Sequence, residues 1–140
     1  ADRLVQHDMD TSAIGDPVGL ISGIGKIYLP CEEAVAKRLS FAAAGEGIRC
    51  LRGTVASGDV FLADAERKKS IAGHFGAIAC EMEGAAIGQV CYVNGVPCGV
   101  LRAISDGGDG EAALDYPTFA GMAAARTVKV LEAFFAGESK

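Results

Sequence analysis

No run of basic residues longer than Arg67-Lys68-Lys69 occurs in the chain, and its formal net charge is −5 over 140 residues. A surface for nucleic acid or for an anionic membrane would have to be assembled from scattered charges, so neither partner is expected. Glycine or charge interrupts every apolar stretch before the roughly 18 residues that a membrane span needs. The opening Ala1-Asp2-Arg3-Leu4-Val5-Gln6 carries no secretory pattern, which points to a cytoplasmic protein. The Cys-x-x-Cys pair of a zinc or redox motif is missing as well. The five cysteines, Cys31, Cys50, Cys80, Cys91 and Cys98, make an odd number and read as buried reduced thiols rather than a disulfide scaffold. Disorder is excluded on different grounds, because half of the residues are hydrophobic, ample for one core.

Arg3 to His7 reads as a strand with no start signal before it. From Asp10 to Pro30 glycines and prolines recur without a period, so the segment reads as one long loop, either an ordered functional loop or a flexible connector. Ala34, Val35, Leu39, Ala42 and Ala43 fall near helical spacing, with Glu32 and Glu33 in the first turn and Gly45 as a stop. Ile48 to Ala56 is rich in β-branched and apolar residues and delivers the turn Ser57-Gly58-Asp59. Asp64 caps a second helix that runs to His74, itself a charge-complementing surface residue near that helix's end.

Ala77 to Cys80 is a short strand. Met82 to Val93 is a helix in which Ala85, Ala86 and Gly88 permit close approach to a sheet, and Asn94-Gly95 closes it. Val96 to Ser105 is a nearly continuous apolar run interrupted by Arg102, as expected of a strand buried on both faces. A last helix covers Pro117 to Ala136 behind an Asp115 cap. Strands alternating with helices make the class α/β, and no repeat, linker or second domain interrupts residues 1–140.

In an open α/β sheet, ligands bind beyond the carboxyl ends of the strands. Three ends carry polar residues: Ser57, Gly58 and Asp59 with Phe61; Glu81, Met82 and Glu83; and Arg102, Ser105 and Asp106. Each cluster alone reads as a turn, a dipole complement or a cap. Their convergence at one edge is harder to dismiss, because a guanidinium inside an apolar strand demands a carboxylate or substrate partner. The loop Asp106-Gly107-Gly108-Asp109-Gly110-Glu111 lacks both EF-hand spacing and a P-loop lysine, so no metal is expected there.

Glu81-Met82-Glu83-Gly84-Ala85-Ala86, followed by Val100-Leu101-Arg102-Ala103-Ile104-Ser105-Asp106, resembles the nucleoside phosphorylase and hydrolase superfamily. Within it the chain is most similar to the methylthioadenosine/S-adenosylhomocysteine nucleosidases. Ser57-Gly58-Asp59-Val60-Phe61 and His7-Asp8-Met9-Asp10 carry the same resemblance, which extends over essentially the whole chain. It implies a three-layer α/β/α fold with a mostly parallel or mixed sheet, of which residues 1–140 form the C-terminal portion. Family members are longer at the N-terminus, where opening strands bring a glycine-rich segment and a glutamate that activates water.

The resemblance also implies a reaction: hydrolysis of the N-glycosidic bond of 5′-methylthioadenosine and S-adenosylhomocysteine, without metal or organic cofactor. Asp106 matches the general acid at adenine N7, and Ser105 would orient it. Glu83 matches the acceptor of the ribose hydroxyls, and Met82 would lie against the ribose. Phe61 matches the ring stacked on the purine, and the Leu62 backbone would read the adenine edge. Arg102 and Glu81 resemble the residues that order the water side. Thr11 and Ile14 fall where the family passes an apolar wall into a neighbouring subunit's pocket, implying a homodimer and favouring the functional reading of the loop. A phosphorylase and a purine-binding pseudoenzyme are the alternatives. The 140-residue chain by itself is expected to show negligible nucleosidase activity; robust adenine release from methylthioadenosine by that segment would sink the expectation.

Overall fold

A computed structural model describes the backbone of residues 1–104 and 112–137, and the side chains of all of these except 112–118. The opening run forms strand β1, Arg3–Gln6, and Tyr28–Pro30 forms β2 antiparallel to it. Strand β3, Thr54–Ser57, lies parallel to β1 on its other side, and β4, Ala77–Glu81, lies parallel to β3. The sheet is therefore mixed, in the order β2-β1-β3-β4.

Alternation along these strands builds two cores. Leu4 and Val55 point to one face, where they join Leu29, Ile21 and Ala85. Val5 and Ala56 point to the other, against Ile71 and Phe75. Ala85 belongs to helix α3, Gly84–Val93, and Ile71 and Phe75 to α2, Ala65–Phe75, so helices cover both faces and give three layers. The small residues of α3 act as expected. A Cβ on Gly88 would come within 2.4 Å of a Leu4 methyl, so glycine sets how closely α3 approaches the sheet. Helices α1, Glu33–Gly45, and α4, Ala112–Ala136, pack on each other through Ala42, Ala43 and Val130. Asp64 caps α2 as expected, accepting from the Arg67 amide at 2.9 Å.

Several expectations need correction. The long loop is ordered, and it contains β2, a short 3-10 turn at Ser12–Ile14 and a bridge between Ile21 and Lys26. Helix α1 includes Gly45; the chain reverses instead at Gly47, whose φ of 68° suits glycine. Only Thr54–Ser57 of the run from Ile48 pairs as a strand, because β1 and β4 lie alongside that part alone. No residue from Val96 to Ile104 is in a strand, and Ser105 lies outside the described residues. The segment is held by the Cys98 carbonyl, which accepts from the Glu32 amide, and the Val100 carbonyl, which accepts from the N-terminal ammonium, both at 2.7 Å. Apolar composition favours burial on both faces, but a strand also needs a hydrogen-bonding neighbour, and Val96 and Ile104 are exposed here. Asp115 is no cap, since α4 begins three residues before it.

All five cysteines are free, and each is half-buried rather than fully buried. Burial raises the thiol pKa of Cys31 and Cys80, and pushes that of Cys98, which lies beside Cys91, up to about 11.

Leu4 has no exposed surface and touches the core under α3. Leu4→Ala is expected to cost about 2–5 kcal/mol through lost burial and the cavity left behind. Urea unfolding should show this as a lower midpoint with an unchanged slope.

Candidate functional site

The three parallel strands end on one edge. Their register places Gln6 opposite Ser57 and Ser57 opposite Glu81, so three polar side chains form a row on the face that α3 covers. Gln6 donates to Gln89 of α3 at 2.9 Å. The Ser57 hydroxyl accepts from the Ala85 amide at 2.7 Å and donates to Glu81 Oε1. Glu81 Oε2 accepts from the Gly84 amide at 2.8 Å and the Glu83 amide at 3.1 Å. The first turn of α3 thus finds its acceptors on β3 and β4. Gly84 permits this, because a Cβ there would sit 3.1 Å from Glu81 Oε1.

The Glu81 side chain is only 4% exposed, and a buried carboxylate requires such donors. Glu83 is its opposite. It occupies the N-cap position of α3 but makes no side-chain cap bond, and its carboxylate is more than half exposed. Arg102 links the two, with Nη1 3.1 Å from Glu83 Oε2 and 3.8 Å from Glu81 Oε2. The guanidinium finds the expected carboxylates, but it is not buried: its side chain is 43% exposed, because the segment carrying it is not an interior strand.

The other expected site residues divide. Phe61 and Met82 are exposed beyond the ends of β3 and β4, whereas Leu62 packs against the Val5 and Phe75 core. Thr11 donates to Asp16 Oδ2 at 3.0 Å, and Ile14 stands 81% exposed on its 3-10 turn. Asp106, like Ser105, lies outside the described residues. A cavity of about 490 Å³ lies elsewhere, between α1, α4 and the β3–β4 side of the sheet, lined by Leu39, Ala43, Val55, Ile78, Val100 and Val130 among others. Arg102 lines it, but Phe61, Leu62, Glu81, Met82 and Glu83 do not, so the cavity is separate from the carboxylate pair.

Two roles were not legible. Ser57 stands in the expected strand-end cluster, but strand register alone places its hydroxyl beneath α3. His7, on the face of Val5, is buried with Nε2 unpartnered among the described residues, and a Cβ on Gly58 would fall 2.4 Å from that nitrogen. These strand ends are fastened together: the His7 amide donates to the Ser57 carbonyl at 2.9 Å, Gly58 to the Glu81 carbonyl at 3.1 Å, and Asp59 to Asp8 Oδ2 at 2.7 Å.

The fold and this edge define a class, an α/β domain that gathers carboxylates and a guanidinium where parallel strands end. Residues 1–136 match the model of the phosphorylase superfamily, and the chain belongs to that superfamily. It is 39% identical over 130 residues to the aminodeoxyfutalosine nucleosidase of Helicobacter pylori, covering 93% of this chain and 56% of that protein. To the 5′-methylthioadenosine/S-adenosylhomocysteine nucleosidase of Shewanella oneidensis it is 36% identical over 115 residues, covering 81% and 48%. The structure of a futalosine hydrolase from Helicobacter pylori superposes with a TM-score of 0.91 at 38% identity, covering 98% of this chain and 58% of that one. The chain therefore spans about half the length of the curated relatives it matches.

Burial lowers the pKa of His7 from 6.5, Asp8 opposing this and Arg67 adding to it. Above about pH 6.5 both folded and unfolded chains hold it neutral. As the pH falls through that value the unfolded chain takes the proton first, so stability should decline until folded His7 also titrates. The urea midpoint is expected to drop between about pH 7.5 and pH 5.5, and His7→Gln should flatten that drop. An equal drop in both proteins would show that His7 does not cause it.

Proposed function

We propose that the complete protein hydrolyses the N-glycosidic bond of 5′-methylthioadenosine and S-adenosylhomocysteine, releasing adenine and the thioribose product. The observation that carries this reading is the exposed Glu83 carboxylate at the head of α3, beside Arg102 and between Met82 and the strand ends. Breaking the bond between C1′ and N9 leaves positive charge on the ribose, and a carboxylate at its hydroxyls favours that state. Glu83 accepts from the ribose 2′- and 3′-hydroxyls, and Met82 lies under the sugar. The exposed Phe61 ring supplies a face for adenine while the half-buried Leu62 side chain anchors its backbone against the base edge. Asp106, oriented by Ser105, gives a proton to adenine N7, so that the bonding electrons leave with the base and water attacks C1′. Arg102, held by Glu81 and Glu83, faces the water side. Ile14, exposed on its turn, forms with Thr11 the wall that a partner subunit's pocket receives in a homodimer.

Aminodeoxyfutalosine is a second substrate reading, favoured by the relative that is 39% identical. One assay separates these readings: the complete protein is incubated with methylthioadenosine, S-adenosylhomocysteine, aminodeoxyfutalosine and inosine, with and without phosphate. Free sugar means that water attacked, whereas a sugar 1-phosphate would identify a phosphorylase. Binding without products would mark a pseudoenzyme. Asp106→Asn is expected to cut turnover by orders of magnitude. A loss under about tenfold, roughly 1.4 kcal/mol of barrier, would remove Asp106 from the acid role.

A further inference from the structure

We infer that Ser57 is a positioning residue of this site, whose hydroxyl, through the buried Glu81, sets the start of α3 and leaves the Glu83 carboxylate available to substrate. The inference rests on the nucleosidase reading for its consequence and on geometry for its cause.

A residue at the N-cap of a helix ordinarily turns its side chain back onto the helix's own first amides. Glu83 holds that position and does not. Of the first amides of α3, Ala85 already donates to Ser57 and Gly84 to Glu81, which also accepts from the amide of Glu83 itself. Both acceptors belong to the sheet, so the first turn of α3 is fixed to the strand ends and not to its own cap. Ser57 is the joint, because its oxygen accepts from Ala85 while its proton goes to Glu81. It is buried, so water cannot readily replace it. The outcome is a carboxylate at the positive end of a helix with no side-chain cap bond to that helix, more than half exposed and met at 3.1 Å by a half-exposed guanidinium.

Without the hydroxyl, the Ala85 amide and Glu81 Oε1 each lose a partner. Glu83 is then the acceptor at hand for the freed amide end, and turning inward it leaves the ribose. A displacement of about 1 Å at such a group is enough to cost around 100-fold in rate. Because the carboxylate acts most strongly on a ribose that has become cationic, the loss should fall mainly on kcat.

The test compares Ser57→Ala, Ser57→Thr and wild type in the complete protein. Ser57→Ala should lower kcat/KM at least tenfold with KM changed less than threefold, and Ser57→Thr, which keeps the hydroxyl, should recover most of the loss. In hydrogen exchange, the amides of Glu83, Gly84 and Ala85 should exchange at least tenfold faster in Ser57→Ala, with those in the middle of α3 unchanged. Activity within threefold of wild type, or unchanged exchange at the three amides, would overturn the inference. A uniform rise in exchange along α3 would also overturn it, since that marks general loosening. If Ser57→Ala does not fold, Ser57→Cys, of similar size but with a weak donor, takes its place. If wild type cleaves none of the four nucleosides, the nucleosidase reading fails by itself, and exchange at the three amides alone decides whether Ser57 sets the helix start.

Discussion

A carboxylate withdrawn from water must be surrounded by donors, and at Glu81 those donors come from three parts of the chain. Ser57 donates from β3, Glu83 and Gly84 donate from the start of α3, and Arg102 approaches from the segment that follows that helix. These contacts tie two neighbouring strand ends, one helix and one extended segment to a single buried anion. The edge of the sheet keeps its shape because each tie satisfies a group that would otherwise be left unpaired. Gly58 and Gly84 belong to the same constraint, since a Cβ at either would press on His7 or on Glu81.

The two glutamates on either side of Met82 show how position alone divides one residue type into two jobs. Glu81 ends β4 on the face that α3 covers, so its carboxylate is enclosed and accepts from backbone. Glu83 lies two residues on, at the turn into the helix, and its carboxylate reaches solvent. Enclosure fixes the first in place as a structural acceptor. Among the described residues the second is held by Arg102, and a half-exposed ion pair of this kind contributes about 0–1 kcal/mol. An interaction that weak is readily exchanged for a ligand's hydroxyls, whereas the Glu81 contacts are not.

How far the sequence discloses this arrangement depends on how local the cause is. The run from Arg3 marked a strand, Asp64 marked the start of α2, and the small residues of α3 marked its approach to the sheet. Each of these follows from a few neighbouring residues. The family was legible too, because its motifs are short and lie close together. The state of Val96 to Ile104 was not, since pairing depends on a distant neighbour that composition cannot supply. The exposure of Arg102 follows from that same missing pairing. Ser57 was visible as a strand-end residue, but its role was not, because its hydroxyl matters only once register sets it beside Glu81 and beneath Ala85.

Under the proposed reaction, the same constraint bears on which nucleoside is cleaved. Relatives named for aminodeoxyfutalosine and for methylthioadenosine resemble this chain to a similar degree. The groups at the described edge, Glu83, Met82 and Phe61, address the ribose and the base, which do not report on the 5′ substituent. Discrimination therefore falls to elements outside that edge. Among the described residues, the turn bearing Ile14 suits this task. Asp16 fastens it by accepting from Thr11 and Ser22, so the turn is ordered, yet Ile14 itself is 81% exposed. An ordered loop offering an exposed apolar side chain can change which substituent it accommodates without disturbing the buried carboxylate on which the reacting groups depend.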